Sequence, residues 1–156
     1  MLVTFIGSLL ALGCFVGIVL LFDSDDDETS APLDKKVIAY FDAHDISYEV
    51  LADDLYSFSY NDHKYFWEYY PKDECFLRII SQWENDITDR TKLLELANQL
   101  EYEWKCIKII LKDDNSMSFS IEYYVSRDCD IDSILTRSLE LMENSIQKTL
   151  EKKEEL

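Results

Sequence analysis

Glycine stops at residue 17: the 156-residue chain has only three glycines, Gly7, Gly13 and Gly17, and two prolines. A phosphate-cradling loop needs glycine to bring backbone N–H groups close to the anion, so no such loop can exist beyond that point. Basic residues are heavily outnumbered. Fifteen Lys and Arg stand against 32 Asp and Glu, for a formal charge of −17. A surface of that sign repels nucleic-acid phosphates and anionic headgroups instead of releasing their counterions. No nucleic-acid partner is expected, and a basic or neutral protein surface suits the charge better. Cysteine is sparse and has no C-x-x-C spacing. Cys14 lies in an apolar run, leaving Cys75, Cys106 and Cys129 as an odd, widely spaced set, the usage of a reducing compartment. One disulfide among the three, or service as small apolar side chains, fits the same set.

Catalytic and metal motifs are missing too. No Ser or Cys has a base beside it in a recognisable nucleophile motif, so catalytic residues are assigned to none and the chain is not expected to be an enzyme. His44 lies close to Asp42 and Asp45, the makings of half an acid–base or metal pair. It reads more simply as a helix-end residue, where the dipole favours histidine, and His63 as a turn residue. Asp25–Glu28 and Asp128–Asp132 offer hard oxygen ligands. Neither matches the twelve-residue calcium loop with its central glycine and terminal glutamate, so no metal or cofactor is expected.

What is present begins with Leu2–Phe22, twenty-one residues without a charge, ended abruptly by Asp23-Ser24-Asp25-Asp26-Asp27-Glu28. At roughly 1.5 Å per residue the run spans about 31 Å as a helix, enough for a hydrocarbon core. A signal peptide would have a basic start, a shorter apolar stretch and a small-x-small cleavage site. Ala11-Leu12-Gly13-Cys14 loosely resembles a lipoprotein box, but Ala11 stands where that box prefers a large aliphatic residue, and Phe15–Phe22 continues the apolar run. The expectation is an uncleaved single-pass membrane anchor over 1–22, in which Gly13 and Gly17 have the spacing of close helix packing. An acidic linker follows over 23–31. Lys35 and Lys36 are the nearest basic residues, and their side of the span favours a cytoplasmic domain.

From Pro32 the pattern is that of one domain, over 32–150, with a polar tail over 151–156. Leu33, Val37, Tyr40, Phe41 and His44 recur at helical spacing. Tyr56, Phe58 and Tyr60 alternate with Ser57 and Ser59 as in a half-buried strand. Tyr48–Leu51, Leu55–Tyr60, aromatic-dense Lys64–Tyr70 and Cys75–Ser81 together read as a three-strand meander, with Asn61-Asp62-His63 as a turn. Thr88 or Asp89 caps a second helix carrying Leu93, Leu96, Ala97, Leu100 and Trp104 on one face. Cys106–Leu111 and Met117–Val125 form a hairpin. Asp130 or Asp132 starts a final helix with Ile131, Ile134, Leu135, Met142, Ile146 and Leu150 inward. The expected fold class is α+β: an N-terminal transmembrane helix, then α-β-β-β-α-β-β-α with an antiparallel sheet and packed helices.

Over roughly Leu33–Leu150 this arrangement resembles the YbjN family of small bacterial sensory-transduction regulator domains, which share the fold of type III secretion chaperones. The resemblance rests on Tyr56-Ser57-Phe58-Ser59-Tyr60 and Tyr65-Phe66-Trp67 in the meander, Leu94-Glu95-Leu96-Ala97-Asn98-Gln99-Leu100 in the second helix, and Cys106-Ile107-Lys108-Ile109 entering the last hairpin. It implies a non-enzymatic, often dimeric, protein-binding domain. The membrane span departs from the usual soluble member.

Tyr65, Phe66, Trp67, Tyr69 and Tyr70 are nearly consecutive, so alternation must place aromatics on both sheet faces. One face can be core; the other then exposes aromatics, as protein contact surfaces do, unless helices one and three cover the two faces between them. The candidate interaction residues are Tyr56, Tyr60, Tyr65, Trp67 and Tyr69, with an unidentified protein partner or a second copy of the chain. The functional expectation is a membrane-anchored regulatory or chaperone-like interaction domain. Its alternative is an acidic immunity or inhibitor protein that neutralises a basic effector at the membrane.

Overall fold

The computed structural model describes residues 31–84 and 86–154. The anchor and most of the acidic linker expected above lie outside these residues. Among the described residues no helix is long and apolar enough to cross a membrane.

The elements are α1 (Leu33–Ala43), β1 (Tyr48–Ala52), β2 (Leu55–Tyr60), β3 (His63–Tyr69), β4 (Phe76–Trp83), α2 (Arg90–Glu103), β5 (Lys108–Leu111), β6 (Met117–Tyr124) and α3 (Ile131–Lys153). The class is α+β, and every strand pair is antiparallel in a six-stranded sheet of order β1-β2-β3-β4-β6-β5. The expected three-strand meander has four strands. β1 is exposed along its whole length, so it lacks the apolar–polar alternation that marks a half-buried strand. A bulge between Val50 and Ala52 breaks its register as well. At the other end, α3 continues through Lys153 into the segment expected as tail. Lys152 pairs with Glu103 at 2.5 Å, and Lys153 with Asp86 at 2.5 Å.

Without glycine, Asn and Asp take the left-handed backbone positions, where a short polar side chain tolerates positive φ. Asn61 and Asp62 both have positive φ and close the two-residue hairpin between Tyr60 and His63, the geometry a type I′ turn requires. Asn115 does the same in the β5–β6 loop. Asp45, at φ 53°, ends α1. There Ile46 N–H donates to Phe41 O and Asp45 N–H to Asp42 O, while Ile46 packs into the core with Phe41. This is a Schellman termination with aspartate in the position glycine usually takes.

Both capping choices resolve to one residue. Asp89 accepts from Thr91 N–H and Lys92 N–H, and Asp130 from Ser133 N–H. All three helices contribute to one core with Phe58, Tyr65, Trp67, Leu77, Ile79, Phe119 and Ile121 from one face of the sheet. In α3 the fully buried positions include Ser138, Ser145 and Thr149 beside Leu135, Leu139 and Met142. The three hydroxyls donate to carbonyls one turn back, Ile134 O, Met142 O and Ser145 O. Small, internally satisfied side chains can thus line the buried face of this helix without an unpaired polar group.

Candidate functional site

Strand register decides which aromatics are core. Tyr56 pairs with Trp67 and Phe58 with Tyr65, then Trp67 with Ile79 and Ile79 with Ile121. All share the helix-covered face. Tyr65 and Trp67 are 0% exposed, while Tyr56, Tyr60 and Tyr69 are half-buried and packed against the same core. Trp67 stacks on Tyr56 at 4.5 Å and meets the Phe41 ring edge-on at 6.3 Å. The five candidate residues therefore line the covered face, and Tyr65 and Trp67 offer no surface to a partner.

The polar atoms on this side are only partly satisfied. Tyr65 Oη donates to Glu143 Oε1 at 3.0 Å, and Asn61 Nδ2 donates to the other oxygen of Glu143 at 2.9 Å. Burial, with the Glu143 carboxylate beside it, holds the Tyr65 phenol far above its usual range. Burial also raises Tyr56 and Tyr69, each with a further contribution from Asp34 in the first turn of α1. Trp67 Nε1 and one Asp34 oxygen are buried without a hydrogen-bond partner among the described residues.

The opposite face carries the residues one position along. Three rows of side chains cross it. At one end Tyr70, Phe76 and Tyr124 form an aromatic row, with ring centroids 5.2 and 5.3 Å apart, and Tyr124 is 78% exposed. The next row is ionic: Arg78 Nη1 lies 2.7 Å from Glu68 Oε2, Arg78 Nε 3.2 Å from Glu122 Oε1, and Lys108 Nζ 3.8 Å from the same Glu122 oxygen. Tyr70 Oη donates to Glu68 Oε2 at 2.6 Å, and this hydrogen bond is the main reason its phenol is raised. Burial works against the Arg78 charge, but Tyr70, Glu68 and Glu122 outweigh it and raise the guanidinium. In the third row Phe66 and Ile80 are paired in register, flanked by Ser57 and Ser120. Lys64 Nζ sits 5.4 Å from the Phe66 ring centroid.

This face was legible in part. Lys64 and Glu68 in β3, Arg78 in β4 and Glu122 in β6 all fall on the parity opposite to the core residues of their strands, and charge at such positions marks the side away from the core. Phe66, Tyr70, Phe76 and Tyr124 share that parity.

His44 closes a contact that composition did not suggest. Its Nε2 lies 2.7 Å from Asp132 Oδ1, and its ring is 4.3 Å from that of Tyr40, joining the end of α1 to the first turn of α3. His63 begins β3. Among the described residues no three His, Cys, Asp or Glu side chains are grouped to hold a metal ion. Cys75, Cys106 and Cys129 are free thiols.

Compared by sequence, the chain matches no family model and no curated protein. Compared by structure, it is similar to YbjN from E. coli, a proposed transcription regulator. The TM-score is 0.62 at 11% identity, over 78% of this chain and 94% of that one. It is also similar to an uncharacterized protein from Methanothermobacter thermautotrophicus, with a TM-score of 0.56 at 13% identity over 77% and 98% of the two chains. At such identities the likeness establishes a YbjN-like fold.

Proposed function

We propose that this chain is a non-enzymatic regulatory or chaperone-like interaction module, held at a membrane by Leu2–Phe22, whose working surface is the uncovered face of the sheet. One observation carries the reading: a sheet whose three helices share one core leaves the Tyr70–Phe76–Tyr124 row on the other side, with Tyr124 78% exposed and no covering layer among the described residues. Rigid aromatics bordered by paired charges make contact area at low entropic cost, with the ion pairs setting orientation. The regulatory role of the YbjN neighbour suits such a module if regulation runs through protein contact, because a charge of −17 opposes nucleic-acid phosphates. The same charge favours the second reading, neutralisation of a basic effector at the membrane.

The test is a crosslinking pull-down from native membranes with the full chain and with Tyr70→Ser/Tyr124→Ser. Loss of the crosslinked partner with an unchanged melt supports the open face. An identical set of partners from both proteins removes it. A partner released by moderate salt selects the neutralising reading. Mass spectrometry of the membrane-extracted protein tests the anchor, which fails if the mature chain starts at a lipidated Cys14 or beyond Phe22.

A further inference from the structure

The two edges of the sheet are finished differently. At β5, Glu101 of α2 reaches across and accepts from Ile109 N–H at 3.0 Å, so a helix side chain occupies a donor that another strand could have used. At β1 no strand lies on the outer side among the described residues, and every residue of the strand is exposed, Val50 at 57%. Ser59 N–H donates to Ser47 O, and residues 48, 49 and 50 pair with 58, 57 and 56. Because hydrogen-bonded and non-bonded pairs alternate in an antiparallel ladder, Glu49 faces β2, and Tyr48 and Val50 turn their N–H and C=O groups outward.

The charge on β1 and the segments flanking it is acidic, with Lys64 of β3 a cation bordering it. Residues 37–63 contain Asp42, Asp45, Glu49, Asp53, Asp54 and Asp62 and no Lys or Arg. From this juxtaposition we infer that β1 accepts an added antiparallel strand from another protein, an extended segment alternating apolar and basic residues. Opposite Tyr48 and Val50 the added residues share the helix side and meet an exposed tyrosine ring and a valine. Opposite Glu49 they share the other side, where Glu49, Ser57, Ser59 and Lys64 help to line a recess of about 280 Å³. An Arg or Lys there pairs with Glu49 as a cross-strand neighbour. A second copy of this chain is the wrong occupant, since it would bring its own Glu49 and the flanking aspartates against these. Main-chain bonds supply affinity and the alternating side chains supply selectivity. The inference does not need the open-face reading: the recess borders that face through Ser57 and Lys64, but the main-chain edge of β1 is separate from the Tyr70–Phe76–Tyr124 row, and the variants used here leave Tyr70, Phe76 and Tyr124 unchanged.

The probe is an end-capped eight-residue peptide alternating valine and arginine, titrated into the full-length chain in neutral detergent. Binding is expected with slowed hydrogen exchange at the Tyr48 and Val50 amides, and it weakens with salt. Methylating the valine nitrogens, which face β1, removes it; methylating the arginine nitrogens, which face away, leaves it. Glu49→Lys, an exposed change, leaves the melt unaltered, weakens the peptide about tenfold, and lets a valine–glutamate peptide bind instead. No binding by the valine–arginine peptide, equal binding by the two methylated forms, or protection confined to other strands would overturn the proposal.

Discussion

On the covered side of the sheet, Tyr65 and Trp67 are fully buried, and the one phenol among them is tied to a helix carboxylate. On the open side, one residue along the same strand, Phe66 lies under a lysine and Glu68 joins an ion ladder. The comparison teaches that aromatic density is not a property of one surface. β3 supplies large rings to both layers. The covered rings hold the helices to the sheet, and the open ones are interleaved with charges that keep the face soluble while leaving rigid contact area between them.

The sharpest way to break this comparison is to cut one ring from each side. Trp67→Ala removes a fully buried indole that touches α1 and β2 and is expected to cost about 3–5 kcal/mol, enough to unfold much of the population of a marginal domain. Phe66→Ala should cost no more than about 1–2 kcal/mol, because the half-buried ring loses fewer contacts. Denaturant melts of the two variants measure the gap. Equal losses would mean that both faces are core.

Tyr65→Phe probes the covered side more finely. Losing the hydrogen bond to Glu143 is expected to cost about 1–2 kcal/mol at neutral pH. The folded phenol titrates above its unfolded value, so its contribution is whole below about pH 10 and falls as pH rises from there toward the folded value. The variant should therefore lose stability less steeply than the parent in alkaline melts.

The smallest effect belongs to the open side. Arg78→Ala leaves Glu68 and Glu122 facing each other across β4, but both remain partly solvated. A loss under about 1 kcal/mol is expected, shrinking further in high salt. A loss several times larger would mark the ladder as part of the fold's main support.

Much of this architecture follows from local rules. The capping aspartates before α2 and α3, the helical spacing of Leu93, Leu96, Ala97 and Leu100, and the alternation of Tyr56, Phe58 and Tyr60 each reflect forces acting within a few residues, and the structure has each of them. β1 was illegible as a separate strand because an exposed edge imposes no burial pattern. The hydroxyl-lined face of α3 was illegible because Ser138, Ser145 and Thr149 look polar until their back-bonds to the helix are counted. Sequence alone determined the element types, the excess of acidic over basic charge and the aromatic concentration in β2 and β3. Only the tertiary structure decided which aromatics are buried. Alternation divides the rings of β3 into two sets, but tyrosine, phenylalanine and tryptophan are compatible with either side; the side that becomes core is the one on which α1, α2 and α3 all settle, and that choice is made by contacts between residues far apart in the chain.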